Sequence, residues 1–85
     1  HLKTARMLRK HPRPSNLKSR DLDALLVALE FEIIEGKGSA VAFQREGGLL
    51  FMYHRPHPRP DVDKGAIASL DKFLEKEGIY EDIGI

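Results

Sequence analysis

The sequence predicts an α+β fold in the order α-β-β-β-α, with two helices packed on one face of a three-stranded antiparallel sheet. Three observations predict it. Leu22, Leu25, Leu26 and Leu29 recur at i, i+3, i+4 and i+7, the stripe of an amphipathic helix. Residues 31–55 hold three short strand-like segments separated by the turn-forming stretches Gly36-Lys37-Gly38 and Glu46-Gly47-Gly48. Ile67, Leu70 and Leu74 then restore the helical period, and Phe73 widens their stripe. Two amphipathic helices on one sheet make two layers around one core. A chain of 85 residues has room for one such core and not for two.

The elements follow in order. Residues 1–16 are expected as a basic extension, in which Leu2, Met7 and Leu8 suit one side of a short helix. The stretch "HPRPSN" ends that helix, because Pro12 and Pro14 lack amide donors and push the preceding residues toward extended backbone. It reads as a semi-rigid link to a domain over 17–80, with 81–85 as a C-terminal tail. The first helix of the domain is expected over 18–30, with Ser19 as N-cap and Asp21 and Asp23 in the first turn, where the helix dipole favours acids. Glu30 is unexpected, since it stands where a glycine ordinarily lets the chain turn left-handed.

Three strands form a meander. "FEIIEG" puts Phe31 and Ile33 on one face, and "SAVAFQR" sets Val41 and Phe43 against Ala40 and Ala42. "LLFMYHR" sets Leu49, Phe51 and Tyr53 against Leu50, Met52 and His54. Because both of its faces are largely apolar, this third strand is expected to be central or covered on both sides. "RPHPRP" at 55–60 is a surface loop, since its three prolines cannot donate to a ladder. Asp61 and Asp63 lead into the second helix, which Gly78 suits as a C-cap.

Composition narrows the function classes. The chain is 41% hydrophobic and 32% charged, which suits a soluble globular domain. It has no cysteine, so disulfides and thiolate metal sites are excluded. No apolar run approaches the roughly 20 residues that cross a bilayer, and no signal-peptide pattern opens the sequence. The expected setting is the cytoplasm, without membrane association. The net charge of +1 hides an asymmetry: residues 1–20 carry seven bases and no acid, while all 13 acids lie beyond them. A basic arm on an acidic body fits a nucleic-acid or partner contact, and equally a solvated terminus of a chain that begins with His1.

The element order resembles the double-stranded-RNA-binding fold, and several segments resemble HicA, the toxin of HicBA toxin–antitoxin pairs, over about residues 17–80. They are the first helix with "FEII", the turn and strand "GKGS…F", and "PHP…KGAI…L…FL" opening the second helix. The family pattern reads Gly-Ser-His-x-x-Phe at the turn and Pro-His-Pro before the second helix. The resemblance implies a metal-independent mRNA interferase, an endonuclease and hydrolase of stress response, partnered by a HicB-like antitoxin that covers the turn and its basic rim. Gly38, Ser39, Phe43 and His57 match, but the family's catalytic histidine is replaced here by Ala40. A naturally divergent member and a deliberate replacement both fit, and the intact Val41-Ala42-Phe43 favours the second.

Metal-independent RNA cleavage needs a base near the 2′-hydroxyl, and histidine suits it because its ordinary pKa is roughly 6.5. With Ala40 in that place, the chain is expected to bind RNA and to cut it poorly or not at all. Alternatives are a non-cleaving RNA-binding domain or a partner-binding module of the same fold. Lys37 with the amides of Gly36 to Ser39 can meet a phosphate, or form an ordinary hairpin turn. His57 can contact RNA, or pack at the start of the second helix. Arg55, Arg59 and Lys64 are expected to form a basic rim beside His57, with Lys64 and Gly65 at a helix end whose amides attract anions. His54 matches none of the family's tags and reads as a hydrogen-bonded structural residue. The spacing His54-x-x-His57 suits a metal pair, but the missing cysteines argue against zinc, and no cofactor is expected.

Overall fold

The two expected helices and three strands follow in the expected order, the short N-terminal helix suited by Leu2, Met7 and Leu8 is present, and a four-residue helix is added at the C-terminal end. A computed structural model describes residues 1–85. The elements are α1 (Leu2–Leu8), α2 (Ser19–Ala28), β1 (Glu32–Glu35), β2 (Ala40–Arg45), β3 (Leu49–His54), α3 (Lys64–Lys76) and α4 (Ile79–Asp82). The sheet is antiparallel in the order β1-β2-β3, and its register aligns Ile33, Phe43 and Phe51 across the strands.

Side chains alternate across a pleated strand, so this register decides which residues meet the helices. Val41, Phe43, Phe51 and Tyr53 are buried on the helix-facing side. The Phe43 ring lies 6.4 Å from Phe51 and 6.0 Å from Tyr53, and Phe51 meets Phe73 of α3 at 5.5 Å. Phe73 also meets Phe31 at 6.1 Å. Leu22, Leu25 and Leu26 from α2 and Ile67, Leu70 and Leu74 from α3 complete the core.

The expectation for β3 is corrected: it is an edge strand, and β2 is central. Three strands joined by two tight hairpins must place the second in the middle, whatever their apolar content. The outer face of β3 is consequently open, with Met52 64% and Leu50 49% exposed. The helix cap shifts by one residue, since Lys18 rather than Ser19 precedes α2 and its amide donates to Asp21 Oδ2 at 3.4 Å. At the far end, the Phe31 amide bonds the Leu26 carbonyl and the Glu30 amide bonds the Val27 carbonyl, both at 2.9 Å. These bonds form a Schellman motif whose left-handed residue is Glu30, at φ 70°. Gly78 plays the same left-handed part after α3, at φ 73°.

Residues 1–16 do not extend away from the domain. Ala5 and Leu8 of α1 have no exposed surface, and both belong to the common core. The physical reason is Asp71, a buried carboxylate on α3 that needs partners from outside the five expected elements. Arg13 Nη1 donates to Asp71 Oδ2 at 2.7 Å and to the Leu8 carbonyl at 2.7 Å. The Tyr80 hydroxyl donates to Asp71 Oδ1 at 2.8 Å, and the Arg9 guanidinium lies 4.6 Å from the Tyr80 ring centre. The last residues are likewise held, with Ile83 and Ile85 packed against the core.

Two measurements check these features. A left-handed non-glycine residue costs roughly 1–2 kcal/mol, partly offset by the flexibility that glycine adds to the unfolded chain. Glu30→Gly is therefore expected to raise unfolding free energy by about 0.5–1 kcal/mol in urea titration; an unchanged or lower midpoint contradicts the strain. Burial, then the bond to Asp71, push the Tyr80 phenol well above its ordinary 10.0, and burial pushes Tyr53 up to about 12. Folded-state values above the unfolded ones favour the protonated form, so this stability is complete below the unfolded value of 10.0 and lost as pH rises beyond it. Tyrosinate absorbance is expected to appear only as the alkaline protein unfolds; full titration near the ordinary value in folded protein contradicts it.

Candidate functional site

The β1–β2 turn closes tightly. The Gly36 amide bonds the Ala40 carbonyl at 2.9 Å, and the Ala40 amide bonds the Lys37 carbonyl at 3.2 Å. Glycine suits position 36, because a Cβ there would lie a tight 3.1 Å from the Ala40 carbonyl oxygen and 3.2 Å from the Ala40 side chain. Gly38 takes the left-handed conformation at φ 60°. Lys37, Gly38 and Ser39 are exposed, and Ala40 is half-buried where it opens β2. The turn is therefore open to solvent and not beneath the helices.

Ser39 is fastened to the end of β3 twice. Its carbonyl accepts the Arg55 amide at 2.8 Å, and its hydroxyl lies 3.2 Å from His54 Nδ1. Ala40 pairs with His54 across the ladder. His57 is exposed and two residues beyond Arg55, within the roughly 7 Å that two residues can span. The structure thus brings Ser39, Ala40 and His54 together, with the 55–60 loop beginning beside them.

Arg55 does not belong to the basic rim. Its Nη2 donates to Asp23 Oδ2 at 2.6 Å and its Nη1 to both Glu35 carboxylate oxygens, at 2.8 Å for Oε2. Hydrogen bonding to Glu35, then to Asp23, raises its pKa further against the opposing effect of burial. The guanidinium is a strut joining α2, β1 and the end of β3, and its charge is compensated. Lys18 similarly pairs with Asp61. Lys37, Arg59 and Lys64 remain exposed and make no ion pair.

The amide end of α3 is also occupied. Asp63 Oδ1 accepts the Ala66 amide at 2.7 Å, and a Cβ on Gly65 would sit 3.2 Å from that oxygen. The chain's own carboxylate thus caps the Ala66 amide and sets a negative charge beside the anion-attracting end expected at Lys64 and Gly65. No three His, Cys, Asp or Glu side chains gather as metal ligands. The surface hollows include none of residues 36–40 or 54–59. An open turn with free lysine and arginine suits a polymer laid across it better than a small molecule held in a cleft.

His54 is hydrogen-bonded, as the sequence suggests, and it also faces Ala40 across the ladder. The signal for that facing was the hairpin count: Ala40 and His54 each stand five positions from the Arg45–Leu49 pair beside the second turn. If Arg55 is a strut, Arg55→Met leaves Asp23 and Glu35 without their cation. The expected cost is about 1–3 kcal/mol of stability with RNA affinity changed less than about twofold. A large affinity loss at unchanged stability would instead return Arg55 to the rim.

The sequence profile of the family described as HicA toxin of bacterial toxin-antitoxin matches residues 19–79. No curated protein and no solved structure matches the chain. The matched span begins with α2 and ends with the first residue of α4, so it contains the turn, Ala40 and His57 and covers more than two thirds of the sequence. By this match, the chain belongs to the HicA toxin family of bacterial toxin–antitoxin systems.

Proposed function

We propose that the chain is the toxin of a type II toxin–antitoxin pair, an mRNA endoribonuclease by descent whose principal catalytic group is missing at position 40. The observation that carries this reading is the exposed Gly38-Ser39-Ala40 turn, inside the matched span and flanked by uncompensated lysine. Lys37 and the amides of Lys37, Gly38 and Ser39 meet the phosphate backbone, the Gly36 amide being taken by the Ala40 carbonyl, while Arg59 and Lys64 extend the contact from the far side of His57. His57, exposed in the loop after β3, is assigned the part of an assisting base or acid. RNA cleavage of this kind needs no metal, only proton transfer and support for charge on the phosphate. The setting is the cytoplasm, where mRNA is found; no helix is long and apolar enough to cross a membrane.

The partner is a HicB-like antitoxin that covers the turn and the adjoining sheet face. That face has an apolar cross-strand row of Ile34, Ala42 and Met52, with Leu50 beside it. Ile34 is 42% exposed, so the row presents contiguous apolar surface of the kind that marks protein contacts. Ala40 itself favours a second reading, a module of the same fold that binds RNA without cutting it.

Restoring the imaginable base separates the two. Ala40→His is expected to raise single-stranded RNA cleavage about 10²–10⁴-fold over the parent and to arrest growth on expression. Tighter or looser RNA binding with no cleavage establishes the binding module instead.

A further inference from the structure

His54 is an exposed side chain outside the segments that carry the family resemblance. It stands directly across the ladder from Ala40, on the same face of the sheet. Cross-strand partners have Cβ atoms about 4.5–5.5 Å apart, well within the reach of an imidazole. The ring is exposed, and its Nδ1 lies 3.2 Å from Ser39 Oγ. A buried structural histidine would be hidden and satisfied at both nitrogens; this one is held at one nitrogen and open at the other.

Building on the ribonuclease reading above, we propose that His54 is a catalytic residue of this chain, a general base that partly replaces the imidazole absent from position 40. Ser39 orients the ring. When Nδ1 carries the proton and donates it to Ser39 Oγ, the lone pair on Nε2 is left free toward solvent. Arg55, the nearest cation in sequence, is engaged by Asp23 and Glu35 and is not free to bind the same phosphate. The uncompensated charge next to Ser39 is Lys37, which is placed to take a phosphate oxygen.

The step balances without metal or redox partner. Nε2 removes the proton from a ribose 2′-hydroxyl, and O2′ forms a bond to the adjacent phosphorus. The bond from phosphorus to O5′ breaks, its electron pair leaves on O5′, and water supplies the proton that this oxygen takes up. The products are a 2′,3′-cyclic phosphate and a free 5′-hydroxyl. The chain is then a slow ribonuclease and not an inert one, because a base at position 54 approaches the substrate from the neighbouring strand.

The test uses the full chain and a fluorescent 20-nucleotide single-stranded RNA, with a fully 2′-deoxy strand as control. The parent, His54→Ala, His54→Gln, Ala40→His and the double variant Ala40→His/His54→Ala are purified identically, and cleavage rate, RNA affinity and unfolding midpoint are measured for each. The parent is expected to cut the RNA slowly, leaving cyclic phosphate ends, and to spare the control. Both single changes at position 54 are expected to lower that rate by about 10²-fold while affinity stays within about threefold. A parent without cleavage above blank overturns the proposal, and so does cleavage that survives His54→Ala within about twofold. If Ala40→His and the double variant cut equally well while position 54 has no effect, the ribonuclease reading stands and the role of His54 falls. If Ala40→His also fails to cut, both fall.

Discussion

Sliding β2 by one residue against β3 would turn Phe43 out to solvent and Ala40 into the core, so the register between these strands fixes both the interior and the site. It is set from two sides. Gly47 and Gly48 take φ angles of 91° and 83°, which closes the hairpin between Arg45 and Leu49. On the helix-facing side, Phe43, Phe51 and Tyr53 stack at about 6 Å spacing and fill the space beneath α2 and α3. A slip would forfeit all three rings at once. The same alternation that hides Phe43 presents Ala40 and His54 on the opposite face. Core packing and site geometry are two readings of one ladder.

Charge divides along similar lines. Asp23, Glu35, Asp61 and Asp71 are each taken by a cation of the chain: Arg55 for the first two, Lys18 and Arg13 for the others. Partly buried pairs of this kind add little over apolar packing, but losing one partner strands the other. Their effect is to fasten elements, α2 to the sheet through Arg55 and α1 to α3 through Arg13. What remains exposed and without an ion pair for an outside polyanion includes Lys37 in the turn, Arg59 and Lys64 around the loop before α3, Lys3, Arg6 and Lys10 around α1, and Arg20, Lys72 and Lys76 on α2 and α3.

Local periodicity made most of the architecture legible. The leucine stripe, the two glycine turns and the Ile67-Leu70-Leu74 spacing are properties of neighbours in sequence, and each element they mark is present. Glu30 was legible too, since its place after the leucine stripe demands a left-handed residue. The failures share another character. The place of β3 at the edge depends on strand order, the docking of residues 1–16 depends on Asp71 some 58 positions from Arg13, and the engagement of Arg55 depends on carboxylates 20 and 32 positions away. None of these pairings has a local signature. His54 lies between the cases, for its facing of Ala40 follows from hairpin arithmetic, but its contact with Ser39 follows only from the folded turn.

The Asp71 cluster has a consequence for where this protein can be cut. The family span starts at residue 19, after Arg13, and stops at residue 79, before Tyr80, so it excludes both hydrogen-bond donors of a carboxylate that is 7% exposed. A fragment trimmed to that span would retain every catalytic candidate and yet keep an orphaned anion inside its third helix, at a cost of about 3–5 kcal/mol. The span that matches the family and the span that packs into the core therefore have different borders here. The outer segments, poor in family signal, behave as two halves of a clasp around α3.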